Sequence, residues 1–220
     1  MIKKILLTSL ISLAATQALA GDNRKNFDTN ANGLIEIYDL KDLNALRSLT
    51  TDEEIGLYGH KELCVPAGGC VGYELMNDLD FDTNGDGKLD AKDTYWNKGL
   101  GWLPINTENF ALEFNGNGHV IKNLMINRPN LKNVGLFGIA QGVVFNSLGI
   151  TGPFVNIRGG KNVGILAGNL NYGTVYSVFT TGYVEGEFVG GLFGQTYSTS
   201  IQHVFSTASV IGNVPGPGGI

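Results

Sequence analysis

The stretch that decides the fold is Asn162-Val163-Gly164-Ile165-Leu166-Ala167-Gly168, because the chain contains three versions of it. The earlier version is Asn133-Val134-Gly135-Leu136-Phe137-Gly138, and the later one is Phe188-Val189-Gly190-Gly191-Leu192-Phe193-Gly194. The second half of the unit recurs as well, since residues 175–186 align with residues 201–212 at an offset of 26. The chain therefore contains an internal repeat.

The period of this repeat predicts the architecture of residues 110–220. The first copy begins 29 residues before the second, because it includes a longer segment at 152–161. Repeats of this length are typical of solenoids, and without helical periodicity the coils would be strands stacked about 4.8 Å apart. We therefore predict an all-β fold, a right-handed parallel β-helix or a closely similar β-solenoid, with copies starting near 133, 162 and 188.

Stacking makes individual neighbours predictable. Val134, Val163 and Val189 are expected to form one inward column, and Phe179 is expected to lie over Phe205 in another. Two short strands are expected before the first copy, on either side of the turn at Asn117-Gly118.

Composition supports this fold class and excludes others. The 220 residues include 32 glycines but only 6 prolines, and 43% of the residues are hydrophobic. A disordered chain would be less hydrophobic and more charged, and collagen would have glycine at every third position. Acidic residues outnumber basic residues by 20 to 15, which argues against nucleic acid as a partner.

Residues 1–20 have the pattern of a secretory signal peptide. Lys3 and Lys4 precede an apolar run, and Ala18-Leu19-Ala20 forms a small-residue cleavage pattern before Gly21. The apolar run is shorter than the roughly 20 residues that a membrane-spanning helix needs. The sequence therefore predicts an exported protein, secreted or located at a bacterial cell surface, without a transmembrane segment.

Two twelve-residue stretches within residues 21–109 have the pattern of EF-hand-type calcium loops. Such a loop places oxygen-bearing side chains at positions 1, 3, 5, 9 and 12 and glycine at position 6, while position 7 offers its backbone carbonyl. The predicted ligands are Asp28, Asn30, Asn32, Leu34, Glu36 and Asp39 in the first loop, and Asp82, Asn84, Asp86, Lys88, Asp90 and Asp93 in the second loop.

Calcium in these loops would be a structural ion. Position 12 is Asp in both, where the standard motif has a longer Glu, so one coordination place would pass to water or to another segment. Extracellular modules of this class bind calcium with dissociation constants of about 10⁻⁴ to 10⁻³ M. The alternative is an ordinary surface turn rich in Asn, Asp and Gly. A helix of three or four turns starting near Tyr38 completes the predicted N-terminal cap region.

Cysteine and tryptophan residues suggest two further features. Cys64 and Cys70 bracket Val-Pro-Ala-Gly-Gly, and a close pair in an exported protein predicts a local disulfide. Trp96 and Trp102 have two interpretations, a stacking platform for a sugar ring or a hydrophobic cap over the end of a core. The second is favoured because large aromatic side chains are usually buried.

The repeats resemble the GLUG motif family of exported bacterial surface proteins. The resemblance is carried by Gly135-Leu136-Phe137-Gly138, by Gly164-Ile165-Leu166-Ala167-Gly168 and by the pattern of residues 175–186. Residues 73–142 are similar to the segment that often precedes such repeats. The resemblance implies a secreted or surface-attached β-solenoid, often in large adhesin-like proteins, with no catalytic residues to carry over. A fourth copy near 214 is interrupted by Pro215 and Pro217.

These observations predict a non-catalytic, calcium-stabilised surface protein that acts in adhesion or as a structural component. Expected partners are surface glycans or a host or matrix protein, and self-association through the open C-terminal end of the solenoid is a further expectation. One alternative is a carbohydrate-binding module that uses Tyr95, Trp96 and Trp102. Another is a polysaccharide-active enzyme, although the pair Glu185 and Glu187 is more typical of surface charges.

Overall fold

The computed structural model of the chain describes residues 28–49, 70–107 and 112–213. The predicted signal peptide, Cys64 and the interrupted fourth copy lie outside the described residues, and the predictions made for them stay predictions. Cys70 is buried just before a strand.

The described residues form one α-helix and eighteen strands, numbered in chain order. The helix α1 is Leu40–Leu49. The strands are β1 Leu34–Ile37, β2 Gly72–Leu75, β3 Leu79–Asp80, β4 Ile105–Thr107, β5 Glu113–Asn115, β6 Val120–Lys122, β7 Met125–Val134, β8 Phe137–Gln141, β9 Val144–Thr151, β10 Asn156–Gly164, β11 Ala167–Asn171, β12 Thr174–Thr180, β13 Tyr183–Gly186, β14 Val189–Gly190, β15 Phe193–Tyr197, β16 Ser200–Gln202, β17 Phe205–Ser206 and β18 Ser209–Gly212.

The strands form three sheets, because each strand pairs in parallel with its equivalents in the neighbouring coils. Sheet A contains β1, β2, β5, β9, β12 and β16 in that order, with β3, β6 and β17 attached. Sheet B contains β7, β10, β13, β14 and β18, and sheet C runs β4, β8, β11, β15. The chain visits the sheets in the order C, A, B in successive coils. The predicted all-β solenoid with one short helix is confirmed.

Strand register confirms the repeat. Thr174 pairs with Ser200 and Tyr183 with Ser209, each at the predicted offset of 26. Val163 pairs with Val134 below it and with Val189 above it, and all three side chains are buried, as the predicted inward column requires.

The second predicted column, Phe179 and Phe205, is stacked but lies on the outer face of sheet A, so its inward placement was wrong. The two rings are nearly parallel, with centroids 5.4 Å apart, and Phe205 is 58% exposed. Phe179 and Phe205 point outward because each follows a residue with positive φ two positions earlier. These residues are Ser177 in β12 and His203 between β16 and β17, both with φ of 54°. This conformation shifts the in–out alternation by one position, so that Val178 points inward and Phe179 outward.

Glycines of the repeat are required for the close approach of neighbouring coils. A Cβ atom on Gly168 would lie 2.3 Å from the carbonyl carbon of Asn133, and one on Gly194 would lie 2.3 Å from that of Asn162. Neither glycine has a positive φ. Backbone packing between coils, and not a turn, therefore explains the glycine at these two positions.

The N-terminal elements continue the solenoid. β1 and β2 extend sheet A below β5, and α1 packs against β1 and β4. The helix agrees with the predicted length and starts two residues later than Tyr38. The strands β5 and β6, on either side of Asn117-Gly118, do not form a hairpin, because each pairs in parallel with β9. The glycine turn therefore forms a bend within one level of sheet A.

Candidate functional site

The two predicted calcium loops have the same backbone hydrogen-bond pattern. In the first loop, the carboxylate of Asp28 accepts hydrogen bonds from the N–H groups of Asn32 and Gly33, both at 2.8 Å. In the second loop, the carboxylate of Asp82 accepts from the N–H groups at the same positions, 3.2 Å from Asp86 and 2.8 Å from Gly87. Position 1 therefore organises the turn in both loops.

Positions 3, 4 and 6 are equivalent as well. The side-chain oxygen of Asn30 accepts from Asn32 N–H at 3.0 Å, and that of Asn84 accepts from Asp86 N–H at 2.9 Å. Positions 4 and 6 have positive φ in both loops, at Ala31, Gly33, Gly85 and Gly87.

A threonine at position 2 is held by a different carboxylate in each loop. In the second loop, Thr83 donates its N–H at 2.8 Å and its hydroxyl at 3.3 Å to Asp93, the residue at position 12. In the first loop, Thr29 makes the same two hydrogen bonds to Glu36, the residue at position 9. The longer side chain of Glu reaches from an earlier position to the place that Asp93 occupies.

Because Glu36 holds Thr29, Asp39 has another role. Asp39 Oδ1 accepts hydrogen bonds from the N–H groups of Lys41 at 2.8 Å and Asp42 at 2.9 Å. These are the second and third residues of α1, so Asp39 is the N-cap of the helix. Asp42 Oδ2 reaches back and accepts from Tyr38 N–H at 3.0 Å, which closes the first turn.

The first loop covers two buried carboxylates. Glu36 and Glu74 are register partners in β1 and β2, and both are almost completely buried. Glu74 Oε1 accepts hydrogen bonds from the side-chain amides of Asn30 at 2.7 Å and Asn32 at 3.1 Å. Glu36 Oε2 accepts from the hydroxyl of Tyr38 at 2.7 Å, and this hydrogen bond raises the pKa of Tyr38. Glu74 was missed because it lies 35 residues beyond the loop motif.

The second loop is more open. Asp82, Asn84 and Asp86 lie at the surface, and Lys92 Nζ is 3.3 Å from Asp86 Oδ2. Asp90 Oδ1 accepts from Lys92 N–H at 2.9 Å, and Asp93 Oδ2 accepts from Asp90 N–H at 2.9 Å. Lys88 is exposed, and Leu34, its counterpart in the first loop, is buried.

The atoms that both loops could offer to a metal ion are oxygens, the ligand type that calcium prefers. Among the residues that the structure describes, no three His, Cys, Asp or Glu side chains are gathered closely enough to hold a metal ion. The two loops thus share one turn geometry with each other, while their carboxylates are engaged in hydrogen bonds to backbone and threonine groups.

Trp102 is part of the core and is not a stacking platform. Its side chain is 1% exposed, and its ring makes edge-to-face contacts with Phe81 and Tyr95, each at a centroid distance of 5.3 Å. Its indole N–H donates to Leu136 O at 3.2 Å, and the guanidinium of Arg47 lies 4.2 Å from the ring centroid. The favoured interpretation, a hydrophobic cap, is confirmed for Trp102.

Trp96 has a different position. It is half-buried and lines an open groove of about 420 Å³ between the second loop and the outer face of sheet B. Met125, Phe154, Asn156, Arg158 and Tyr183 line the same groove.

Glu185 and Glu187, the acidic pair considered above for a polysaccharide-active enzyme, form ion pairs with basic residues of the neighbouring coil. Glu185 Oε2 lies 3.3 Å from Arg158 Nε, and Glu187 Oε1 lies 3.8 Å from Lys161 Nζ. Glu185 also accepts a hydrogen bond from the hydroxyl of Tyr183 at 2.9 Å, which raises the pKa of Tyr183. Each glutamate is therefore paired with a basic residue of β10, one coil below.

Comparison with known proteins identifies two relatives. The chain is 38% identical over 137 residues to halomucin of Haloquadratum walsbyi, a match that covers 59% of this chain and 1% of halomucin. It is 39% identical over 84 residues to a protein of Evansella cellulosilytica described as a Gly-rich membrane protein, with 36% of this chain and 10% of the relative covered. The chain thus corresponds to a small part of each relative.

No protein-family model matches the chain, and no solved structure matches it. In the part of the chain that the structure describes, no helix combines the length and the hydrophobicity needed to span a membrane.

Proposed function

We propose that this chain is a segment of an exported surface protein with a structural, non-catalytic role, in which calcium stabilises the N-terminal end of a rigid β-solenoid. The observation that carries the proposal is the continuous stack of coils, in which β1 to β15 share one hydrophobic core and β16 to β18 continue the sheets. The relatives support it, because one is named as a mucin and the other as a membrane protein, and the matched segment is a small part of each. The likeness of the repeats to the GLUG family supports the same location.

Calcium belongs to the proposal because the two loops share one turn geometry. Binding to the folded loops but not to the unfolded chain would stabilise the protein in proportion to the logarithm of the calcium concentration. The more specific part of the proposed role is adhesion. Its partner would be a surface glycan or a host or matrix protein.

Calcium titration of the purified chain, with thermal melts alongside, tests the role of the ion. Millimolar calcium should raise the melting temperature, and Asp82→Ala with Asp86→Ala should abolish most of the increase. Glu187→Gln, which removes a carboxylate that belongs to neither loop and pairs with Lys161, is the matched control and should leave the increase unchanged. A melting temperature that does not respond to calcium would show that both loops are turns held by hydrogen bonds alone.

Surface location has its own test. An antibody against the solenoid should label intact cells of the source organism, and protease added to intact cells should remove the label. Label that appears only after lysis would contradict export, whatever the outcome of the calcium titration.

Self-association through the last coil is part of the same proposal. Ile201 and Val210 continue inward columns of the core, yet both are 42% exposed, because no further coil covers them among the described residues. Sedimentation velocity should detect dimers at rising protein concentration, and Ile201→Lys should remove them. A monomer at every concentration would contradict this part.

A further inference from the structure

The groove beside Trp96 is built where the repeat is irregular. Just before the corner between sheets A and B, Thr180 pairs with Ile150, an offset of 30 residues. Just after the corner, Tyr183 pairs with Asn156, an offset of 27 residues. The earlier coil therefore contains three extra residues at this corner, and the side chains of Pro153 and Phe154 in the enlarged corner line the groove.

The outer face of sheet B forms the floor. One register column contains Met125, Asn156 and Tyr183, and the next outward column contains Asn127, Arg158 and Glu185. Between these columns, Ile157 and its register partners point into the core. The floor thus combines an apolar side chain, an aromatic ring and amide groups on a regular strand spacing.

The opposite wall comes from the N-terminal region. Trp96 lies just before a tight 3-10 turn, Asn97–Gly99, and Leu89 belongs to the second loop. Trp96 and Phe154 both line this groove of about 420 Å³, a volume within the range of about 300 to 1,000 Å³ that is usual for small-molecule sites.

One polar side chain that lines the groove has an oxygen without a partner among the described residues. The side-chain oxygen of Asn156 is buried and accepts no hydrogen bond from any of them. A buried acceptor without a donor destabilises a protein by about 1 to 3 kcal/mol, so a ligand O–H or N–H that reached this oxygen, by a turn of the amide toward the groove, would be bound favourably.

The charges of the groove select a neutral ligand. Arg158, its cation, is neutralised by Glu185 at 3.3 Å, and its guanidinium lies 5.6 Å from the ring centroid of Tyr183. The Arg158 side chain is half exposed, and its guanidinium has N–H donors besides the one at Nε. An anionic ligand would have to compete with Glu185, whereas a hydroxyl group would not.

We propose that this groove is a binding site for a neutral saccharide, with a sugar ring between Trp96 and Phe154 and a ring hydroxyl donating to Asn156. Sugar rings present apolar C–H faces together with hydroxyl donors and acceptors, and this groove supplies aromatic faces, an unpaired acceptor and guanidinium donors. The proposal deepens the adhesive part of the proposed function and does not depend on calcium binding in the loops.

The test uses the full chain and neutral tetrasaccharides of glucose, mannose, galactose and N-acetylglucosamine, with tryptophan fluorescence and calorimetry as readouts. At least one should bind and change the emission of Trp96, since Trp102 is shielded in the core. Trp96→Ala should weaken binding about tenfold or more, and Trp96→Phe should restore part of it. Phe205→Ala removes an exposed aromatic ring outside the groove and should have no effect.

Asn156→Ala supplies a second readout, and thermal melts of each variant establish that it is folded. Binding should weaken, while stability should stay the same or rise because the unpaired acceptor is gone. The proposal is overturned if none of the tetrasaccharides binds at about 10 mM, a concentration above the largest dissociation constant that is relevant here. It is also overturned if binding survives Trp96→Ala. Failure of these tests with a normal calcium response would leave the proposed structural role intact.

Discussion

Asp39 connects the first loop to the helix that follows it. Its carboxylate accepts two N–H groups of the first helical turn, which otherwise lack partners within the helix. Glu36, three residues earlier, holds Thr29 in place. Within one short segment, one carboxylate therefore stabilises the loop and the next stabilises the helix.

Asp39→Ala should lower the free energy of unfolding by about 1 kcal/mol, the usual effect of removing an N-cap. Asp39→Asn should have almost no effect, because Asn caps helices about as well as Asp. Urea unfolding in calcium-free buffer measures the capping contribution alone. Equal destabilisation by Ala and Asn there would mean that the negative charge matters and not the cap.

Asp78 links two levels of sheet A. It accepts a hydrogen bond from Lys122 Nζ at 2.9 Å and from Val120 N–H at 3.1 Å, and the Lys122 interaction holds the pKa of Asp78 below its ordinary value. A depressed folded-state pKa adds stability that is fully present above the unfolded-state pKa, near 3.8, and is lost as pH falls through the folded-state value.

We therefore expect Asp78→Asn to be less stable than the unmodified chain at pH 7 and closer to it at pH 3. The effect should be small, because the carboxylate is 45% exposed and screened by water. Urea midpoints at the two pH values measure it, with Glu187→Gln as a surface-charge control. If the difference in urea midpoint between Asp78→Asn and the unmodified chain grew as the pH fell, the lowered pKa of Asp78 would be contradicted.

The strands of neighbouring coils lie so close at some positions that only glycine fits. A Cβ on Gly194 would meet the backbone of Asn162 one coil below, whereas a Cβ on Gly212 would meet, among the residues that the structure describes, only Val189 Cγ2 at 3.7 Å. The two glycines belong to the same chain of repeats and differ mainly in what lies next to them.

Gly194→Ala should destabilise the protein by about 1 to 3 kcal/mol, since the added methyl group must displace backbone atoms. Gly212→Ala should be neutral or slightly stabilising, because its contact is ordinary and alanine restricts the unfolded chain. Thermal and urea unfolding compare the two variants. Equal effects would show that the coils move apart without cost.

Predictability from sequence differs between these elements. The 26-residue offset, the valine column and the loop turns were predictable because each depends on residues a fixed distance apart. The outward position of Phe179 was not, since serine is not among the residue types enriched at positive φ, and Ser177 adopts that conformation two residues before Phe179. The groove could only be half predicted, because its irregular corner is visible in the sequence whereas Trp96 reaches it from another part of the chain.

Across the whole molecule, burial falls in the last described coil. Val184 in β13 is fully buried, and its register partner Val210 in β18 is 42% exposed. In a solenoid each coil is stabilised by its neighbours, so a coil with one neighbour is the least stable.

Val184→Ala should therefore lower the free energy of unfolding by about 2 to 3 kcal/mol, and Val210→Ala by roughly half of that or less. Hydrogen exchange should show the same gradient, with slower exchange in β13 than in β18. Both variants are compared in dilute solution, where sedimentation shows a monomer, and equal losses under those conditions would contradict the gradient.

The enlarged corner between sheets A and B has a consequence for protein engineering. Three extra residues are accommodated there, and the strands on both sides remain paired with the next coil. The entropic cost of a longer connection rises slowly, by about 0.6 kcal/mol for each doubling of its length. This corner is therefore a natural graft point, at which peptides of different lengths can be displayed on a scaffold that keeps its register.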